Sequence, residues 1–273
     1  KAVAVRPHNL EARPVFHHAN AGLILPGADA DGMGGGEVDL VGSAVGTQGR
    51  IFPDDQGTPV LPGSQIGWRL HYHPYHHDVD AALQVAVWLY PEGYTPKNTA
   101  IAEPSVRTGA ETHAPGAFAR GDPSGRFHSH SDVLIPPNGV QTIKGVHVLD
   151  QNAMLHSVRG HMHMRGKYQV VEAAYPDGSW EVLTKLNWDH GWHTLFMYED
   201  DVRPLLPKGT VLIMTSVFDN TTENPHNPDP NQWVTGGDRS IDEMGHIRLG
   251  LTFFDDEEFT HIVEEGQRPL SEK

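Results

Sequence analysis

Apolar and polar residues alternate over short stretches of this chain, and turn-forming residues separate the stretches. Gly67-Trp68-Arg69-Leu70-His71-Tyr72 and Leu83-Gln84-Val85-Ala86-Val87-Trp88-Leu89-Tyr90 read as strands flanking a histidine-rich connection. Val140 to Leu149 predicts another strand. Tyr168 to Tyr175 and Trp180 to Leu183 flank Pro176-Asp177-Gly178 as a hairpin. Pro207-Lys208-Gly209-Thr210 leads into the apolar run Val211 to Phe218, and Ile247 to Phe254 predicts a last core strand. Residues 1–16 read as an extended lead-in and Leu23-Ile24-Leu25 as a short apolar piece. Residues 26–64 read as loops with short strands, and residues 91–126 as loop-rich. No long segment carries the 3.6-residue period of an amphipathic helix, and no short tandem repeat is present. The tail 255–273, acidic then polar, is expected to drape over the surface. The pattern predicts an all-β fold of two β-sandwich domains, residues 1–140 and 141–273.

Composition agrees. Twenty-nine glycines and 21 prolines in 273 residues suit frequent turns. A net charge of −15 argues against nucleic acid or an anionic membrane surface as partner. The absence of cysteine excludes disulfides, thiolate metal sites and iron–sulfur clusters. No apolar run reaches the ~18–20 residues of a membrane span, so no span of its own is expected. The opening Lys1-Ala2-Val3-Ala4-Val5-Arg6-Pro7 has no apolar signal-peptide core, which leaves a removed leader or anchor, or an upstream domain, open.

Histidine is the outlier, at nineteen residues. In Gly160-His161-Met162-His163-Met164-Arg165-Gly166-Lys167, strand alternation would put both imidazoles on one face. Ser240-Ile241-Asp242-Glu243-Met244 follows about eighty residues later. Two imidazoles and a thioether form a soft, open donor set that suits Cu(I) better than zinc or magnesium. The alternative is a strand with two surface histidines and an unrelated core methionine. Adjacent His17 and His18 would point to opposite faces of a regular strand, so both reach one metal only if the chain is bulged there. Otherwise they are solvated turn residues. His71 and His73 share a face by alternation. His73, His76 and His77 stay open between extra ligands, supporting groups and loop polarity, and His128-Ser129-His130 reads as a surface loop. Asp219 and Asp229 raise calcium, but no repeated carboxylate loop is present. Trp180, Trp188, Trp192 and Trp233 read as core or rim aromatics. No Gly-rich phosphate loop or nucleophile elbow occurs.

An ordered series of motifs resembles the copper type II, ascorbate-dependent monooxygenases, which include peptidylglycine α-hydroxylating monooxygenase and dopamine β-monooxygenase, and looks closest to their bacterial branch. The series runs from His161-Met162-His163-Met164-Arg165-Gly166-Lys167 and Tyr175-Pro176-Asp177-Gly178 through Pro207-Lys208-Gly209-Thr210 and Phe218-Asp219-Asn220-Thr221. It continues through Asn224-Pro225-His226-Asn227-Pro228-Asp229-Pro230 to Asp242-Glu243-Met244. Phe16-His17-His18 and Leu70-His71-Tyr72 resemble the family's earlier histidine elements. The resemblance implies two tandem jelly-roll-like sandwiches with one copper each. His17, His18 and His71 would hold the electron-storing copper, and His161, His163 and Met244 the copper that meets oxygen and substrate. Arg159, two before His161, would help hold a substrate carboxylate, for which a guanidinium is well shaped; an ordinary ion pair is the alternative. The family's substrate-binding tyrosine is replaced here by Arg248, with His246 at the intervening polar position, so a peptidylglycine substrate is not expected.

The resemblance implies hydroxylation of a C–H bond in a small-molecule substrate, driven by dioxygen and ascorbate or another one-electron donor, in an extracytoplasmic compartment. Only sixteen residues precede the His17-His18 pair, fewer than in the animal enzymes. A protein partner completing the first sandwich is therefore a second expectation, with the chain a non-catalytic subunit of a larger redox or membrane-associated complex. A copper carrier is a third.

Overall fold

The computed structural model describes residues 1–24, 26, 37–44, 49–52, 56–72, 75–99, 105–107, 133–237 and 239–266. They form two compact units. The first holds the described residues up to 99 with 191–194; the second holds 105–107, 133–190 and 195–266.

In the first unit β1 (Ala2–Pro7), β2 (Phe16–Ile24), β3 (Glu37–Ala44) and β4 (Gly49–Ile51) precede β5 (Gln56–Gly57), β6 (Gln65–Tyr72), β7 (Leu83–Trp88) and β8 (Asn98–Thr99). Two three-stranded sheets, β4-β1-β7 and β3-β2-β6, supply one core; β5 and β8 make a short parallel pair. Alternate residues face inward, Val3 and Val5 from β1 and Ala21 and Leu23 from β2. Leu40 and Val41 join them, with Trp68, Leu83 and Val85 packed against the cluster. The sequence expectation needs two changes here. The lead-in is the central strand of a sheet, and β3, inside the stretch read as loops with short strands, runs to eight residues. The glycines at 34–36 beside it dominate that stretch and mask its short apolar pattern.

β2 is bulged. Phe16 pairs with Tyr72 and His18 with His71, so residue 17 is extra. The bulge switches the phase of the strand. Phe16 is buried although His18, two residues on, lies on the opposite face from buried Ala19.

The second unit contains β9 (Ser105–Arg107), β10 (Leu134–Ile135), β11 (Val140–Val148), β12 (Asn152–His161), β13 (Gly166–Ala174) and β14 (Trp180–Asn187). β15 (Phe196–Met197), β16 (Leu205–Leu206), β17 (Val211–Asp219), β18 (Val234–Thr235), β19 (His246–Phe254) and the helix α1 (Asp256–Gly266) follow. Sheet β11-β17-β13-β14 faces sheet β15-β12-β19-β9 across a core that includes Leu155, Val158, Val171, Met214, Leu249 and Leu251. The expected hairpin joins β13 and β14, and Gly178 in its turn has φ +87°, a conformation that favours glycine. A smaller core, Val133, Ile135, Met162, Phe218 and Val234, lies beside the end of β12. Val133 and Ile135, assigned to the first domain by a division at 140/141, are thus buried within the second unit. The all-β expectation with two β-sandwiches holds.

β12 is also bulged. Leu155 pairs with Leu251 and Ser157 with Gly250, leaving His156 extra. Before it Ala153 and Leu155 are buried; after it Val158, Gly160 and Met162 point inward. The tail departs from expectation, because α1 begins where a surface drape was expected. Asp255 accepts the Glu258 N–H at 2.8 Å, which is the N-cap geometry. Asp256, Glu257 and Glu258 complement the positive helix end, and Phe259 is buried.

Candidate metal centres

In the first unit the bulge sets the geometry. His18 lies directly opposite His71, with ring centroids 4.8 Å apart and planes at 89°. Residue 17 occupies the extra position of the bulge, the condition under which neighbours can address one metal. The side chain of His17 lies outside the described residues. His76 and His77 are exposed, and His77 Nε2 is 3.0 Å from the Glu11 carboxylate; His73, His128 and His130 lie outside the described residues.

In the second unit, the phase of β12 past its bulge leaves Arg159 and His161 on the face away from the core. Cross-strand pairing places Arg248 opposite Arg159 and His246 opposite His161. The His161 and His246 rings stack at 4.6 Å with 28° between planes. Directly opposed like charges destabilise a sheet, so the arginine pair concentrates positive charge in a chain that is otherwise acidic. β9 pairs with the other edge of β19, which puts residue 107 in register with His246.

His163 departs from the strand expectation. β12 ends at His161, and His163 belongs to the turn that follows. Its ring still meets that of His161, edge to face at 5.2 Å. The turn packs on the smaller core through fully buried Met162. Trp188 lies over Gly166, where a Cβ would come within 2.4 Å of its ring, and its Nε1–H donates to the His163 carbonyl at 2.9 Å.

The segment before β19 fastens onto this turn. The His163 Nδ1–H donates to the Asp242 carbonyl at 3.1 Å, which selects the Nδ1–H tautomer. Arg165 Nη1 donates to the Ile241 carbonyl at 2.8 Å. Glu243, fully buried, accepts the His163 N–H at 3.0 Å, the Arg165 N–H at 2.5 Å and the Met244 N–H at 3.3 Å. Burial pushes the Glu243 carboxyl up to about 7, against the pull of those donors and of the Arg165 guanidinium. Met244 itself is half-buried. Arg239 clasps Asp242 through Nε and Nη2, at 2.8 and 2.7 Å.

A polar hub closes the other side. Asn220, fully buried, accepts from Arg165 Nε at 2.8 Å and from Asn227 at 3.0 Å, and donates to the carbonyls of Pro136 and Gln232 at 2.9 Å each. Asn224 donates to the Met164 carbonyl at 3.1 Å. The Asn224–Pro230 loop is therefore bolted to the histidine turn. Asp219 gives its carboxylate to Lys167 at 2.9 Å and to the Thr221 hydroxyl at 2.6 Å.

Sequence reasoning assigned no site role to Glu243, Arg165 or Asn220 and read Trp188 as a core or rim aromatic. The first three lie inside the quoted motifs, and Glu243 directly precedes a residue read as a ligand; that position was the available signal. Among the described residues no three His, Cys, Asp or Glu side chains group as a metal site. The candidate donors of the second unit are of another kind, the imidazoles of His161 and His163, whose rings meet, and a methionine whose main chain is tied beside them. One imidazole has its tautomer fixed, and the methionine is carried on a fastened segment. That set fits a soft, open copper centre.

No family model matches the chain, and no curated protein matches it. Solved structures to which it is similar include that of the infectious bursal disease virus Gt strain, at 11% identity over 92% of this chain and 54% of that one, TM-score 0.20. The VP2 subviral particle of the same virus is similar at 9% identity over 92% and 56%, TM-score 0.25. The chain spans about half the length of those chains.

Proposed function

We propose that the protein is a copper-dependent monooxygenase that hydroxylates a C–H bond of a small organic substrate. The observation that carries this reading is the fastening of the Met244 main chain to the His161–His163 turn through Glu243, which brings together segments some eighty residues apart that bear two imidazoles and a methionine. His161, His163 and Met244 would hold the copper at which oxygen and substrate meet. His18 and His71, with His17, would hold the electron-storing copper. Copper, when bound, supplies the one-electron chemistry by which dioxygen is activated. In the balanced reaction, R–H, dioxygen, two electrons and two protons give R–OH and water, the electrons coming singly from ascorbate or another donor.

The protein's own groups do the positioning. Arg159 and Arg248 stand in the same strand pair as His161 and His246, two residues or about 7 Å along it. They suit an anionic group on the substrate, held bidentately, with the reacting carbon reaching back toward the histidines. His246, stacked on His161, restrains that ring's tilt. An extracytoplasmic location belongs to this reading. The test is copper counted per chain after reconstitution with Cu(I), together with ascorbate-dependent oxygen uptake. Two coppers and uptake support the reading; a folded protein that takes up no copper refutes it.

A second reading, a non-catalytic subunit in a larger redox or membrane-associated complex, is favoured by the edge strand β7. It pairs only with β1 among the described residues, and Val87, Trp88 and Leu89 are 45%, 52% and 72% exposed at its end. Stable co-purification of one partner without oxygen uptake favours this reading.

A further inference from the structure

An acid with no exposure at all, one residue before a ligand, requires a reason. Taking a carboxylate out of water is costly unless its oxygens are filled. Those of Glu243 are filled by main-chain N–H groups, two from the turn that carries His163 and one from Met244. The bonded segments are 80 residues apart in sequence for His163 and 78 for Arg165. Both oxygens are used. A glutamine would offer a single acceptor and would turn an N–H₂ toward N–H donors.

A thioether is a weak ligand on a side chain with several free torsions. It stays on a metal only if binding costs little further ordering of the segment that carries it. The Arg165 bond to the Ile241 carbonyl and the His163 bond to the Asp242 carbonyl reduce that freedom, and the Glu243 carboxylate joins the main chain of His163 and Arg165 to that of Met244.

We propose that Glu243 is a positioning residue whose carboxylate ties the main chain of His163 and Arg165 to that of Met244, so that the imidazole and the thioether are presented to copper as one rigid unit. This rests on the copper reading, and its experiment has a metal-free half. In the metal-free protein, Glu243→Gln should accelerate exchange of the His163, Arg165 and Met244 amide protons and narrow the Met244 methyl resonance, while amides in β13 and β17 keep their protection. In the Cu(I) protein, the sulfur contribution to X-ray absorption at copper should disappear and Cu(I) affinity should fall about tenfold or more. Glu243→Gln combined with Met244→Ala should bind Cu(I) no more weakly than Met244→Ala alone. Glu243→Asp, too short to serve both arms, should give an intermediate loss and serves if Glu243→Gln does not fold. Retention of the sulfur signal with unchanged affinity, or additive losses in the double variant, overturns the proposal. Wild-type protein that binds no Cu(I) defeats the copper reading instead, and the metal-free half then decides the tie by itself.

Discussion

His161 and His246 face one another across β12 and β19 with their rings stacked 4.6 Å apart. The stack limits how far the His161 ring can tilt. His246→Ala should leave the copper count unchanged and broaden the Cu(II) spectrum, because one ligand plane is no longer held. Electron paramagnetic resonance of the Cu(II) protein checks this, and loss of a whole copper would instead make His246 a ligand.

Met244→Ala should abolish hydroxylation and leave the fold intact. Met244 is half-buried and lies outside the three apolar cores, so the change should cost less than about 1.5 kcal/mol of stability. Product formation and urea unfolding measured side by side give the answer; retained turnover removes Met244 from the site.

His71→Ala should reduce two coppers to one. The residue it faces, His18, sits next to a bulge rather than in a regular ladder, so no core packing is lost. Metal analysis after Cu(I) loading reads this directly. Single-turnover oxidation at the remaining copper should persist while steady turnover fails.

Asn220→Ala should destabilise the second unit by on the order of 3 kcal/mol, since it leaves the Pro136 and Gln232 carbonyls and the Arg165 and Asn227 donors without their acceptor or donor. Denaturant unfolding followed by Trp188 fluorescence measures it.

Stability should fall with acid through Asp219. Burial opposes its ionisation, but hydrogen bonds from Thr221 and Lys167 outweigh that and hold its carboxyl below the usual carboxylate range. Its unfolded form therefore binds more protons near the ordinary carboxylate pKa of about 3.9, and stability rises with pH there. The contribution is present above that pH and is lost as the pH drops through the lower, folded value. Asp219→Asn should flatten this part of a stability–pH curve; an unchanged slope below about pH 4 contradicts the assignment.

Ile247 to Phe254 was legible because apolar Ile247, Leu249 and Leu251 alternate with other residues, and Val211 to Phe218 because a short, largely apolar run after a Pro-Lys-Gly turn reads as a buried strand. The ligand candidates His18, His71, His161 and His163 were legible for a different reason, as rare residue types at short spacing. What escaped was determined by contacts between distant segments. Nothing local marks Glu243 as a buried acceptor for a turn eighty residues earlier, and nothing in Asn220 announces four partners. α1 escaped because its apolar face is only a few residues wide; its signal is the cap, Asp255 and Glu258 three residues apart just ahead of Phe259 and Ile262.

The extra residue in β12 is slack in the strand. The ladder with β19 already skips His156, so losing that residue would regularise the pairing and leave Arg159 opposite Arg248 and His161 opposite His246. Past the bulge there is no such slack. Deleting Gly160 would bring His161 to the inward position opposite Ile247, with no other residue altered in identity. Homologous chains should therefore tolerate a one-residue gap at His156 and none between Arg159 and His161, a length constraint that point mutagenesis alone would never uncover.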